Sequence, residues 1–164
     1  MPLFLAKKPA YICGPLTELN PAKAVLAQDL YSAMADVLKE TTGIRAFVPH
    51  EHYDPILHAN FTAREVYEAE SAQVMEHTSL LVIVPIAPSW GGGIEAQMAN
   101  FADIPAIVVK EDHQKLSRLL MGLPNIKRVV HYDGTHKDAI RRLRQAIACL
   151  TSQASPTVPS LVAS

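Results

Sequence analysis

Between Pro88 and Glu95 the chain reads PSWGGGIE, with three of its seven glycines in a row and a carboxylate directly after them. Glycine admits positive φ and lets a ligand come close to the main chain. Amides left free where a helix begins attract an anion such as phosphate. Ser89 adds a hydroxyl beside them. A plain structural turn would use the same residues, so anion binding and a turn both stand at this point. The stretch lacks the spacing and lysine of a P-loop, which gives no support to nucleoside triphosphate hydrolysis, and it lacks the full dinucleotide fingerprint.

Glu95 opens two readings as well. A glutamate in the first turn of a helix is favourable through the dipole alone. Beside a phosphate pocket, however, a second negative charge carries an electrostatic cost. It gains a purpose if it must reach the sugar of a phosphorylated ligand. A sugar C1′ that loses a heterocyclic base develops oxocarbenium character, which a carboxylate stabilises or captures.

Other polar residues gather elsewhere. PHEHYDP, at 49–55, offers His50, Glu51, His52 and Asp54. Its H-x-H pair has no third histidine or cysteine at familiar zinc spacing, so no metal site is expected. His50 or His52 lining a base pocket and an ordinary polar loop remain the two uses of this stretch. Trp90 lies inside the glycine run, able to close over a ligand or pack on a partner chain. Cys13 and Cys149 stand apart in apolar surroundings and read as reduced, buried thiols.

Elements of alternating type must position these groups. Short apolar runs at 10–13, 45–49, 79–85, 105–110 and 128–132 have strand length, and the third and fourth are apolar enough to be covered on both faces. Helical patterns run from Pro21 to about Thr41, Thr62 to about Thr78, Ile94 to Ala102, Gln114 to about Gly122 and Thr135 to Leu150. Asn20 before Pro21 reads as an N-cap with proline at the first helical position, and TARE, starting at Thr62, as a capping box. Strand and helix in alternation predict an α/β fold: a three-layer α/β/α sandwich with a mainly parallel, about five-stranded sheet of Rossmann-like or flavodoxin-like kind. In such folds the ligand lies beyond the carboxyl ends of the strands, where strand order reverses. That selects the loops GPLTELNP, HEHYDP and IAPSWGGG, where the polar candidates already cluster.

The 164 residues suit one domain, expected over 1–150, with 151–164 as a flexible tail. A formal net charge of −1 gives no electrostatic case for a nucleic acid polymer or an anionic membrane as partner. No apolar run approaches the roughly 18 residues of a membrane span, and the N-terminus does not read as a signal peptide. A cytoplasmic location is the expectation.

PSWGGGIE has the form P-S-x-G-x-G-x-E and resembles the loop of the 2′-deoxynucleoside 5′-phosphate N-hydrolases, within the nucleoside 2-deoxyribosyltransferase-like superfamily. YICG, Tyr11 to Gly14, is similar to that family's opening Y-x-C-G, and LSRLLMG, Leu116 to Gly122, to a segment carrying a phosphate-contacting serine. The resemblance in motif spacing runs from about Tyr11 to Leu150. It implies hydrolysis of the N-glycosidic bond of a nucleoside 5′-monophosphate without a cofactor. Glu95 would be the nucleophile that forms a glycosyl ester, which water then cleaves. Ser89 and the amides at Gly91 and Gly93 would hold the 5′-phosphate, Tyr11 would bond near the nucleophile, and Gly14 would let the first loop approach the nucleotide. A homodimer is implied, with Ser117 reaching a phosphate bound mainly by the partner chain.

Two departures from the family pattern matter. The family's aspartate in the helix before the third strand falls, without a gap, at Ser71; a one-residue shift makes it Glu70. Glu70 is preferred because the leaving base needs a proton donor and serine is a poor one near neutral pH. Glu68 points about 200° away from Glu70 around a helix. The first loop, GPLTELNP, carries Pro15 and Glu18 where the family often has a basic, glycine-rich continuation, although Thr17 can still donate to a sugar or phosphate oxygen. That opens the cytidine 5′-monophosphate N-glycosidases of the same superfamily beside the deoxyribonucleotide enzymes. The alternatives are a nucleoside 2-deoxyribosyltransferase and a nucleotide-binding protein without chemistry. A third family, the cytokinin-activating phosphoribohydrolases, has a PGG-x-GT-x-x-E pattern that this chain does not match.

Overall fold

The computed structural model describes residues 8–17, 19–54 and 57–152. Four strands form one parallel sheet: β1 (Ala10–Cys13), β2 (Leu80–Ile83), β3 (Ala106–Glu111) and β4 (Ile126–Tyr132), hydrogen-bonded in that order. Every residue of β1 and β2 is buried, as continuous apolar runs require when helices cover both faces. Tyr11 pairs with Leu81, and Leu81 with Ala106, which sets the register of the three strands beneath the site.

The expected fifth strand is corrected by this sheet. The run at 45–49 supplies one isolated parallel bridge, Phe47 to Tyr11, in which the Ile12 N–H donates to the Phe47 carbonyl at 2.9 Å and the Phe47 N–H to the Ala10 carbonyl at 2.7 Å. Pairing stops because Pro49 has no N–H to donate and the chain turns at once into the short helix α2 (His50–Tyr53). The bridge lies on the outer side of β1, so the spatial order of the five segments is 2-1-3-4-5, the flavodoxin-like order. Its reversal falls between β1 and β2.

Helices fill both faces and complete the three layers. On one, Leu30, Met34 and Leu38 of α1 (Pro21–Thr42) and Leu143 and Ile147 of α6 (His136–Ser152) pack over Ile12, Val82 and Ile107. On the other, Val74 of α3 (Ala63–His77) and Ala96 and Ala99 of α4 (Trp90–Phe101) pack over Tyr11, Leu81 and Val108. The Asn20 side chain accepts from the Lys23 N–H at 3.0 Å. Thr62 and Glu65 close both halves of the capping box, so α3 starts where TARE places it.

Three helical expectations change. The helix expected from Ile94 begins at Trp90, with Ser89 as its N-cap. The helix expected over 114–122 shrinks to the single turn α5 (Arg118–Met121). The final helix runs to Ser152, two residues past the expected Leu150. Of the expected tail at 151–164, residues 153–164 lie outside the described residues. Among the described residues no helix is long and apolar enough to cross a membrane.

Candidate active site

The three glycines are helical, and this corrects the expectation of a positive-φ loop. Among described residues the glycines with positive φ are Gly43 and Gly134, whereas Gly91, Gly92 and Gly93 form the first turn of α4. Each glycine inside a helix costs about 1 kcal/mol against alanine, so three need a reason other than backbone geometry. Gly92 has one: a Cβ there would meet the Cys13 Sγ at 3.3 Å. At Gly93 a Cβ would meet nothing within 4 Å, and at Gly91 only the Ser89 Oγ at 3.9 Å. Both positions lack a side chain at the positive end of a helix dipole. The Gly93 N–H, however, donates to the Ser89 carbonyl at 3.2 Å, which corrects the expectation that its amide holds phosphate and leaves Gly91 to meet an approaching anion. The Ser89 Oγ accepts from the Gly92 N–H at 3.1 Å, which leaves the hydroxyl hydrogen free to donate outward.

One turn along the same helix, Glu95 points inward, with 8% of its surface exposed. Tyr11 donates its hydroxyl to Glu95 Oε1 at 2.6 Å. Strand alternation puts Cys13 on the same face as Tyr11. The Cys13 thiol donates to the Gly92 carbonyl at 3.5 Å and lies beside the Glu95 carboxylate, whose charge it favours. Burial pushes the Glu95 carboxyl up, and the hydroxyl and thiol donors pull it back towards the ionised form. Tyr11 and Cys13 are themselves held protonated, first by burial and then by the Glu95 charge beside them. Both are donors, and Glu95 is the acceptor.

Glu70 of α3 is the second carboxyl at this cluster. Desolvation and then the Glu95 charge raise its pKa from 4.5 to about 7. Glu68 stands on the far face of the helix, exposed and paired with Arg64. Ser71 is buried, and its hydroxyl is turned back onto the Tyr67 carbonyl of its own helix. Of the three candidates on this stretch, Glu70 alone faces Glu95 with its chemistry unspent.

A cavity of about 730 Å³ adjoins the start of α4, lined by Gly14, Ser89, Gly92, Gly93 and Ser117 among others. Tyr11, Glu70 and Glu95 are not among its lining residues; Cys13 and Gly92, which are, contact each other beside Glu95. Ser117 therefore reaches the cavity within its own chain. Gln97, Gln114 and Lys115 add polar groups that sequence reasoning missed, since no spacing pattern marks them. Cys13 was legible in principle, two residues beyond Tyr11 on one strand.

Gly14 lines the cavity, but its lack of a side chain answers to a neighbour in the core. A Cβ there would lie 2.4 Å from the Tyr31 hydroxyl oxygen and 2.5 Å from its ring carbon Cζ. His50 contacts the Ser32 hydroxyl through Nε2 at 3.4 Å, and His52 stacks on Phe47 with centroids 4.4 Å apart. Among the described residues, no group of three or more His, Cys, Asp or Glu side chains is placed to hold a metal ion. Trp90 stands 88% exposed at the head of α4. Thr17 is exposed, and Glu18 lies outside the described residues.

Comparison with models of known protein families found no match, and comparison with curated protein sequences found none either. The family resemblance therefore rests on the motifs quoted above.

Proposed function

We propose that this protein hydrolyses the N-glycosidic bond of a nucleoside 5′-monophosphate, and that Glu95 is the nucleophile. The observation that carries the reading is the pair of buried carboxyls in unequal environments. Burial raises both carboxyls, but the Tyr11 hydroxyl and the neighbouring Cys13 thiol pull Glu95 back towards its ionised form, whereas burial and the Glu95 charge keep the Glu70 proton on up to about pH 7. Two carboxyls pushed apart in this way divide into a nucleophile and an acid.

The phosphate would sit against the backbone amide of Gly91 at the start of α4, with the Ser89 hydroxyl donating to it. The Gly93 N–H, which the family resemblance would also assign to it, is committed to the Ser89 carbonyl. Glu95 follows Gly91 by about 6 Å along the helix axis, the span of a sugar phosphate. Its carboxylate attacks C1′ as the C1′–N bond breaks, and Glu70 gives its proton to the departing base. Glu70, now ionised, takes a proton from water, whose oxygen attacks C1′ and releases Glu95. One nucleotide and one water give one base and one 5-phosphosugar, with both carboxyls returned to their starting state.

The protein would act as a homodimer. Trp90, Ile94 and Phe101 of α4 stand exposed at 88%, 51% and 78%, and Leu119 of α5 at 85%. The first three recur at helical spacing on one face, and a second copy would bury them. A partner's Ser117 would then supplement the serine that each chain already brings to its own cavity.

The test is to incubate the protein with ribo- and deoxyribonucleoside 5′-monophosphates and with the matching nucleosides, and to quantify free base. Release confined to monophosphates, weakened by Ser89→Ala and abolished by Glu95→Gln, is the expected result. Turnover that survives Glu95→Gln overturns it. Release that requires an acceptor base would instead identify a transferase.

A further inference from the structure

Two loops wall the cavity beside α4, and one side-chain bond joins them. Residues 84–89 follow β2 and end at Ser89; residues 112–117 follow β3 and carry Lys115 and Ser117. The Gln114 side-chain amide donates to the Pro85 carbonyl, which ties the second loop to the first. The second loop is also held where it leaves the sheet. Lys110, 8% exposed, donates through Nζ to the Glu111 and Asp112 carbonyls at 2.8 and 3.2 Å. Lys115 and Ser117 therefore line the same space as Ser89 from a loop that is fixed at Asp112 and at Gln114.

Three side chains on these walls have donors to spare. The Ser89 oxygen accepts from the Gly92 N–H, so its hydrogen is free. Ser117 stands at the N-cap of α5, yet its side chain bonds no amide of that helix. Among the described residues, Lys115 makes no ion pair or side-chain hydrogen bond, and it is the only charged side chain that lines the cavity. Leu116, Leu120 and Leu123 line the α5 side, where they exclude water that would otherwise screen a charge. A phosphate monoester brings about −1.5 to −2 charges at pH 7, and a helix start answers about 0.5 of that. The Gly92 and Gly93 amides are already committed within the first turn of α4. About one negative charge is thus left unanswered, and Glu95, further along the same helix, adds to the imbalance.

We propose that Lys115 is the cation that meets the substrate's phosphate, and that it sets the preference for a 5′-monophosphate over the unphosphorylated nucleoside. This rests on the nucleotide hydrolase reading and names the residue that selects the substrate class. A lysine ammonium is a point charge on a flexible stem, so it answers charge without a fixed fork geometry. It touches the phosphate and not the reacting carbon, so its loss should weaken binding and leave the chemical step nearly alone. Lys115 is exposed and lies outside both core clusters, so Lys115→Gln is expected to fold.

The experiment titrates ribose 5-phosphate and 2-deoxyribose 5-phosphate into the protein by calorimetry. Neither carries a base, so nothing turns over. Lys115→Gln should weaken binding about tenfold, as loss of one charged partner at an exposed site does, and Lys115→Arg should keep most of it. Arg118→Gln removes the same charge from α5, outside the cavity lining, and should bind as the native protein does. Added salt should weaken the native protein more than Lys115→Gln. In turnover, Lys115→Gln should raise KM for monophosphates about tenfold with kcat little changed. Equal affinity in the native protein and Lys115→Gln overturns the proposal even if base is released, and leaves the hydrolase reading standing. An equal loss in Arg118→Gln overturns it in favour of diffuse surface charge. Binding that depends on Lys115 in a protein that releases no base would sustain the phosphate contact and reject the hydrolase reading.

Discussion

The hydroxyl of Tyr11 donates to Oε1 of Glu95 across 2.6 Å, joining two residues 84 positions apart in the chain. The first lies within β1 and the second in the first half of α4, so the bond ties strand to helix at the point where strand order reverses. With the neighbouring Cys13 thiol, it favours charge on a carboxylate which burial would otherwise neutralise.

Removing that donor should therefore change chemistry more than shape. Tyr11→Phe keeps the ring stacked on Phe47 and deletes only the oxygen. A hydrogen bond to a charged group is worth about 1.5–3 kcal/mol, so kcat should fall roughly 10- to 100-fold. The acid limb of the pH–rate profile should move to higher pH, since Glu95 holds its proton longer. A limb that stays in place would show that the tyrosine does not tune this carboxylate.

Glu70 links activity and stability to the same titration. With its proton needed for the leaving base, kcat/KM should decline as pH rises through about 7, and Glu70→Gln should remove that limb. The sign for stability is the same. The folded-state pKa lies above the ordinary 4.5, so the favourable contribution is complete below 4.5 and is lost as pH rises through about 7. Glu70→Gln should thus be more stable than the native protein at pH 8 and equal to it at pH 4. A fully enclosed carboxyl so shifted would differ by about 3 kcal/mol, and the partial exposure of Glu70 reduces this to about 1–2 kcal/mol. Urea unfolding at the two pH values measures it. An equal difference at both would reject the titration.

Gly14 should prove intolerant for a reason internal to the fold. Tyr31 is 1% exposed, and its hydroxyl donates to the Pro15 carbonyl at 3.2 Å, so the ring has no room to retreat from an added methyl. Gly14→Ala should cost about 1–3 kcal/mol, as overpacking does in a filled core. A thermal melt reads this without any substrate. Unchanged stability would mean that the first loop shifts freely.

The exposed stripe on α4 makes a prediction about assembly. Sedimentation should give a dimer for the native protein and a monomer for Ile94→Asp, because an unpaired charge cannot be buried in an apolar contact without a cost of several kcal/mol. Ile94 is 51% exposed in the single chain, so the substitution should not disturb its fold. A native protein that sediments as a monomer would remove the partner-supplied Ser117 from the proposed function.

Much of this site could be seen in the chain as written. The buried parallel strands are uniformly apolar, the caps at Asn20 and Thr62 are local side-chain bonds, and the polar loops follow strand ends. Such features depend on neighbours a few residues away, which is why periodicity and turn chemistry reveal them. Glu95, Tyr11 and Ser89 could be singled out from residue type and motif. What tertiary packing alone decided is which groups meet. Only the close approach of Cys13 explains Gly92, and only the Tyr31 ring explains Gly14. Ser71 and Glu68 were excluded by where α3 turned them, and Glu70 gained its raised pKa from burial and from a charge on another helix. Nor does residue type tell that the run ending at Pro49 supplies one bridge instead of a strand, or that Phe47 there stacks on Tyr11. Local propensity acts through the backbone of a few residues, whereas desolvation, contact and stacking are set by atoms that the chain brings together from far apart.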